Sequence, residues 1–234
     1  MIIAVIVSER MASEPDPSDE RVAFTSALAR LKREGSNLLV VGGSSDVAHA
    51  EACDRFLGDE IGDRRRTFVS TERSNCVSAD VRGDDADLIR YESPTPTRSA
   101  AATTGTADGP ELPTDGVSGL SELGAAVVDS IRATDEEVGG LESAQFRLCL
   151  DSMRPLLEEH AEREVFRFLH AVTNEVRAAD GMGHYHLPVG YDSQTVRTLE
   201  PLFDAVIEVR TGPDGAQQRW HLRDVDADSD WLPL

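Results

Sequence analysis

Asn37-Leu38-Leu39-Val40-Val41, running into Gly42-Gly43-Ser44-Ser45-Asp46, decides the fold. Five residues of apolar strand character lead into a glycine loop. The loop leads into a helical pattern, Val47–Leu57, with Val47, Ala50, Cys53 and Leu57 read as its apolar face and Gly58 as its stop. Strand, glycine loop and helix make the layout that cradles a phosphate. That chemistry needs G-x-x-x-x-G-K-[ST], with backbone N–H groups around the phosphates, a lysine on the β/γ oxygens and a hydroxyl on Mg²⁺. Counting from Gly42, the last three places hold Val47, Ala48 and His49; counting from Gly43, they hold Ala48, His49 and Ala50. Lys32, the single lysine of the chain, lies before the strand. The layout is present and its cation is missing. Asp46 sits at the helix N-terminus, where the dipole and free N–H groups favour a carboxylate by ~0.3–1 kcal/mol, and there it opposes a phosphate. Gly42, Gly43, Ser44 and Ser45 remain as contacts for a small anion, which leaves weak nucleotide binding open.

Outward from this unit, strands alternate with helices. Val22–Glu34 reads as a helix with Val22, Leu28 and Leu31 apolar and Gly35 as its stop. Arg66–Thr71 and Asp87–Tyr91 read as strands, Leu120–Ile131 as a helix and Phe146–Leu150 as a strand ending in Asp151-Ser152. Glu162–Ala178 has the strongest helical stripe, through Val165, Leu169, Val172 and Val176. Met182–Leu187 reads as a strand and Ser193–Leu199 as a helix. Phe203–Val209 and Gln217–Leu222 read as a closing strand pair across Gly212-Pro213-Asp214-Gly215. This order predicts an α/β fold with a mainly parallel sheet covered on both faces.

The composition bounds the rest. The 234 residues carry a formal charge of −20, and 22 of the 23 basic residues are arginine. The acids are spread along the chain rather than blocked. The pattern therefore reads as a carboxylate surface adapted to high salt in preference to a basic-partner binder. The same charge argues against a nucleic-acid groove. Cys53, Cys76 and Cys149 are odd in number and widely spaced without a CxxC, so neither a disulfide framework nor a zinc site is signalled, and Cys149 reads as a small buried hydrophobe. Met1–Val7 is too short to span a membrane and has no cationic flank. It reads as an N-terminal strand or as residues upstream of a start at Met11. A cytoplasmic location is expected.

With the loop, Phe146–Ser152 (FRLCLDS) follows the pattern of a Walker B strand, hydrophobic residues ending in aspartate and serine. In this order the chain resembles the RecA/KaiC-like branch of the P-loop ATPases. Gly35–Gly42 (GSNLLVVG), Phe166–His170 (FRFLH), Gly183–Leu187 (GHYHL) and Pro201–Val206 (PLFDAV) make it similar, within that branch, to an uncharacterised haloarchaeal family of degenerate KaiC-like domains. The likeness covers roughly residues 21–222. It implies a three-layer RecA-like fold with a small C-terminal antiparallel pair. It also implies that Asp151 stands where an active relative holds Mg²⁺, and that Glu72 stands where a water-activating glutamate follows a strand. The other readings are a capping role for Asp151, shared with Ser152, and a plain surface position for Glu72. His184 and His186, two apart on a strand, share a face and form a metal half-site if Asp151 or Asp192 completes it; otherwise they are hydrogen-bonded groups at a strand end.

The expected organisation is a leader or first strand over 1–20, one domain over 21–222 with a disordered insertion at 93–116, and an acidic tail over 223–234. The tail ends in Trp231-Leu232-Pro233-Leu234 and reads as a solvated end with Trp231 tucked on the body, or as a short partner-binding segment. The expected function is a regulatory or protein-interaction module without ATPase chemistry. It would need no cofactor, though ATP with Mg²⁺ stays open, and would meet a protein partner or another copy of itself. The alternatives are an ATPase using arginine for lysine, with Arg64, Arg65 and Arg66 as the nearest cluster, and a metal-dependent enzyme at His184/His186. The charge makes one expectation testable at once. Self-repulsion reaches further as the Debye length grows from ~3 Å at 1 M salt to ~30 Å at 0.01 M. The melting temperature should therefore climb steadily in thermal melts from about 0.05 to about 3 M KCl, and a flat series would contradict adaptation to salt.

Overall fold

The computed structural model describes residues 17–43, 46–58, 64–71, 86–93, 116–223 and 227–234. The elements run α1 (Pro17–Arg33), β1 (Ser36–Val41), α2 (Asp46–Leu57), β2 (Arg65–Ser70), β3 (Ala86–Arg90), α3 (Leu120–Val138), β4 (Phe146–Leu150), α4 (Arg154–Glu159), α5 (Glu162–Ala178), β5 (Met182–Leu187), α6 (Gln194–Leu199), a 3-10 turn over Glu200–Leu202, β6 (Ala205–Gly212), β7 (Gly215–Leu222), β8 (Ala227–Asp228) and β9 (Leu232–Pro233). One sheet takes them in the order β3-β2-β4-β5-β1-β6-β7-β8, with β9 also on β7. From β3 to β6 every pairing is parallel; β6–β7 and the two short strands are antiparallel. This is a three-layer α/β fold with a mostly parallel sheet, as the alternation of elements predicts. The antiparallel part is larger than a hairpin. Residues 227–234 return to the sheet, and Trp231 lies under Arg210, 3.7 Å from guanidinium carbon to ring centroid, with Arg219 at 4.6 Å. Trp231 is tucked on the body, as expected, and the end is largely exposed but ordered: the strand edge of β7 offers hydrogen-bond partners, and an arginine pair offers the indole a cationic face.

Period-two alternation sorts each central strand onto two cores. Leu39 and Val41 of β1, Leu148 and Leu150 of β4, and Tyr185 and Leu187 of β5 pack under α3 and α5 with Val127, Val165, Leu169 and Val172. Leu38 and Val40, with Ala205, Ile207 and Val209 of β6, pack under α1 and α2 against Ala48, Ala52 and Phe56. The buried stripe of α5 holds Val165, Leu169, Val172 and Val176, as expected. In α2 the expected face holds at Cys53 and Leu57 but is shifted in its first turn. Ala48, His49, Ala52, Cys53, Phe56 and Leu57 are buried, while Val47 is 61% exposed. A histidine on the inner face and a valine on the outer one invert the hydrophobic signal. Val22 of α1 is likewise exposed, with Ala27 buried in its place.

One polar clamp crosses the core. Asn37 of β1 donates from Nδ2 to the Thr173 carbonyl of α5 (3.0 Å), accepts at Oδ1 from the Tyr185 hydroxyl of β5 (3.0 Å), and donates its backbone N–H to Asp204 Oδ2 (2.8 Å). Burial and the carboxylate of Asp204 push the Tyr185 phenol far above its ordinary value, so it stays a donor. Gly183 leaves room for this pair, since a Cβ there would meet the Tyr185 ring at 2.8 Å and Asn37 Oδ1 at 2.9 Å. Losing one partner strands the other in the core. Tyr185→Phe should cost about 1–2 kcal/mol and Asn37→Ala about 2–4 kcal/mol in denaturant unfolding at fixed salt. The double variant should cost less than the two added together.

Candidate functional site

The C-terminal ends of β1, β2, β4 and β5 meet where parallel α/β sheets bind ligands. Gly42 leaves β1 there. Its N–H donates to the Val189 carbonyl (2.9 Å), and a Cβ at this position would stand 2.3 Å from the Val209 carbonyl oxygen of β6. The glycine is required by this close approach of backbone, whatever the loop binds. Gly43 is exposed, with a Cβ site 3.7 Å from the Gly190 nitrogen. Ser44, Ser45 and the Asp46 side chain lie outside the described residues, as do Glu72, Cys76, residues 1–7 and most of the 93–116 insertion.

Asp151 is buried and engaged. Its Oδ1 accepts from the Thr71 backbone N–H (2.8 Å) and the Thr71 hydroxyl (2.8 Å), and its Oδ2 accepts from the Ser70 hydroxyl (3.1 Å). The carboxylate ties the end of β4 to the end of β2. Ser152 Oγ, beside it, accepts from the Arg154 N–H (3.2 Å) at the start of α4. The helix-capping contact therefore belongs to Ser152, and Asp151 clamps strand to strand.

The arginines proposed as stand-ins for lysine are at the wrong end. Arg65 and Arg66 open β2, and β2 runs parallel to β4, β5 and β1, so they lie at the opposite end of the sheet from Gly42. Arg65 pairs with Glu137 (3.4 Å) and Arg66 donates to the Gly58 carbonyl (3.2 Å) at the end of α2. Within one chain they cannot serve the glycine loop.

His184 and His186 do share a face of β5, both about 1% exposed, with ring centroids 5.3 Å apart. Neither Asp151 nor Asp192 completes the pair. The two histidines face Cys149, the direct neighbour of His184 in the β4–β5 register, and Cys53 from the inner face of α2. The Cys53 and Cys149 sulfurs are 3.3 Å apart, and Cys53 Sγ is 3.5 Å from His184 Nε2. Behind His186, His49 Nδ1 lies 2.9 Å from His186 Nδ1, and His49 Nε2 lies 3.1 Å from the Gly42 carbonyl oxygen. Burial lowers the His184 basicity; the Cys149 contact, aided by His184 and His186, holds the Cys53 thiol well below its ordinary range against burial. Cys149 is a small buried core residue as expected, packed with Leu57 and Phe68, but its sulfur also meets Cys53, a contact that the sequence reading did not include. Cys53 and Cys149 are 96 residues apart, so spacing along the chain carries no trace of their meeting. The one local signal was parity: Cys149 in FRLCL and His184 and His186 in MGHYHL are placed to share a face of adjacent strands.

A model for a family of unknown function (DUF7504) matches residues 35–209, and the chain belongs to that family. No curated protein is significantly similar to it. Among solved structures it is similar to the KaiC-like protein PH0186 from the hyperthermophilic archaeon Pyrococcus horikoshii OT3. The TM-score is 0.50 at 12% identity, over 81% of this chain and 79% of the other. That likeness is one of fold, RecA-like and KaiC-like in architecture.

The Asp151 clamp predicts a graded response. Asp151→Ala takes this acceptor from the Thr71 N–H and the Ser70 hydroxyl, while the Thr71 hydroxyl keeps the Ser152 carbonyl, and should cost about 2–3 kcal/mol, a fall in melting temperature on the order of 4–12 °C. Asp151→Asn keeps one acceptor oxygen and can reverse the Ser70 contact, so it should cost only about 1 kcal/mol. Equal losses for the two variants would show that the carboxylate charge, rather than the strand-to-strand hydrogen bonds, matters.

Proposed function

We propose that this chain is a RecA/KaiC-like domain without ATPase chemistry, working as a regulatory or protein-interaction module in a high-salt cytoplasm. The observation that carries the reading is the state of Asp151, the carboxylate at the metal-holding place of a Walker B strand. Both of its oxygens are taken by donors from Ser70 and Thr71. Phosphoryl transfer is catalysed almost wholly by positioned cations. The loop after β1 supplies none, since Val47, Ala48 and His49 occupy the places of glycine, lysine and hydroxyl. His49 turns inward to the Gly42 carbonyl and His186. The first loop glycine is accounted for by its packing on Val209. With the chemistry gone, the scaffold's working part is its surface, and a protein partner or a second copy is the natural ligand.

The test is calorimetric titration of ATP in molar KCl with and without Mg²⁺, run beside a phosphate-release assay. Affinity should be no better than millimolar, about 4 kcal/mol, with no turnover above background. Micromolar, Mg²⁺-dependent binding with turnover that disappears in Asp151→Asn would overturn the proposal.

A further inference from the structure

Between α2 and the sheet lie four soft or borderline donors, with the buried His49 and Arg147 nearby. Cys53, Cys149, His184 and His186 each offer one ligand atom, and these atoms all lie within 4.8 Å of one another. We infer that they form a closed Cys2His2 site for a zinc ion. The geometry fits that ion. Zn–S bonds of about 2.3 Å and Zn–N bonds of about 2.0–2.1 Å make a tetrahedron with edges of roughly 3.3–3.8 Å. The Nε2–Sγ distance of 3.5 Å is already an edge of that size, and the Sγ–Sγ distance of 3.3 Å would open by about 0.5 Å to reach the S–S edge. Both thiols are free, so they are not joined as a disulfide.

A second observation points to a ligand independently. His186 Nε2 is buried and makes no hydrogen bond of ordinary geometry among the described residues, and the His186 ring acts on the Cys53 thiol beside it. The hydrogen-bond network assigns what that nitrogen carries. His49 Nε2 faces the Gly42 carbonyl, which only accepts, so Nε2 holds the proton. A neutral His49 then presents a bare Nδ1, which must accept from His186 Nδ1–H. His186 is left with its lone pair on Nε2, the form in which imidazole binds a metal, oriented by a hydrogen bond from its other nitrogen. His49 is thus the positioning residue behind the ligand.

Charge agrees with this. Two thiolates and two neutral imidazoles cancel the charge of Zn²⁺, so the loaded site is neutral in a place where a bare ion would be very costly. Binding releases the two thiol protons to solvent. The four ligands are at most 1% exposed, and four protein donors complete the tetrahedron, leaving no position for water or substrate. The site is therefore structural rather than catalytic, which removes the metal-enzyme reading of His184 and His186. Its product is mechanical: the ion joins α2 to β4 and β5, and through His49 reaches the backbone of Gly42.

The test uses the full, untagged chain, purified in molar KCl without chelator, with metal measured by mass spectrometry of the elements. About one zinc per chain is expected. After unfolding with chelator, refolding with Co²⁺ should give the strong visible bands of a tetrahedral ion and a thiolate-to-cobalt charge-transfer band. Cys53→Ser and Cys149→Ser should abolish both. Should those variants fail to fold, His49→Ala serves instead. It should keep the cobalt spectrum but weaken zinc affinity roughly 10–100-fold, with recovery in His49→Gln. A folded, metal-free chain whose melting temperature ignores added zinc and chelator would overturn the inference. So would an octahedral cobalt spectrum, binding of another metal in preference to zinc, or two cysteines that resist alkylation because they have formed a disulfide.

Discussion

A parallel sheet with helices on both faces has no wet side, and that constraint governs every polar group in this molecule. The six residues of β1 are all buried. A polar side chain left unpaired on such a strand costs about 1–3 kcal/mol, and on β1 only the Ser36 hydroxyl, at its first position, goes without a partner among the described residues. Asn37 meets the requirement with three hydrogen bonds, one to each of three other segments. Asp151 meets it through Ser70 and Thr71. His184 and His186, at the centre of β5, meet it only in part: His186 Nε2 is one of several buried polar atoms without a hydrogen bond among the described residues, and the one that faces the cysteine pair.

The same constraint reshapes the end of the sheet where a ligand would sit. In this architecture the strand ends present backbone and carboxylate to a crevice. Here those groups turn toward each other. Gly42 closes on Val209, Asp151 closes on Thr71, and the Met153 N–H donates to the His186 carbonyl (2.8 Å). The result is a strand-end region whose backbone and carboxylate groups are held by contacts within the protein.

Much of the fold was legible because its central elements are strongly periodic. Phe146–Leu150, Glu162–Ala178 and Met182–Leu187 have the bounds that the hydrophobic pattern predicts. What escaped did so for physical reasons. Arg154–Glu159 is six residues long, too short for a helical stripe to repeat. Ala227–Asp228 and Leu232–Pro233 are two-residue strands whose pairing comes entirely from β7. In α2 the expected face held at Cys53 and Leu57, but a buried histidine counted as polar and an exposed valine as apolar, which shifted its first turn. The Cys/His cluster was out of reach of any spacing rule, because α2, β4 and β5 each contribute to it and only the strand order brings them together. Half of it was visible as the H-x-H of β5; the cysteines were read one at a time.

The return of residues 227–234 to β7 has a further consequence, for how this sheet meets its neighbours in solution. An eight-residue antiparallel strand at the margin of a sheet is a template on which another chain can lay a strand. β8 occupies the template at His221 and Leu222, and β9 occupies it at Gln217 and Gln218, with the Arg210–Trp231–Arg219 stack holding the segment down between them. The margin is thus occupied in two short pieces by the molecule's own chain, too short to be extended and too well anchored to be readily displaced. A chain adding a strand on that side would first have to displace these two pieces, so the segment acts as a built-in guard against edge-to-edge pairing.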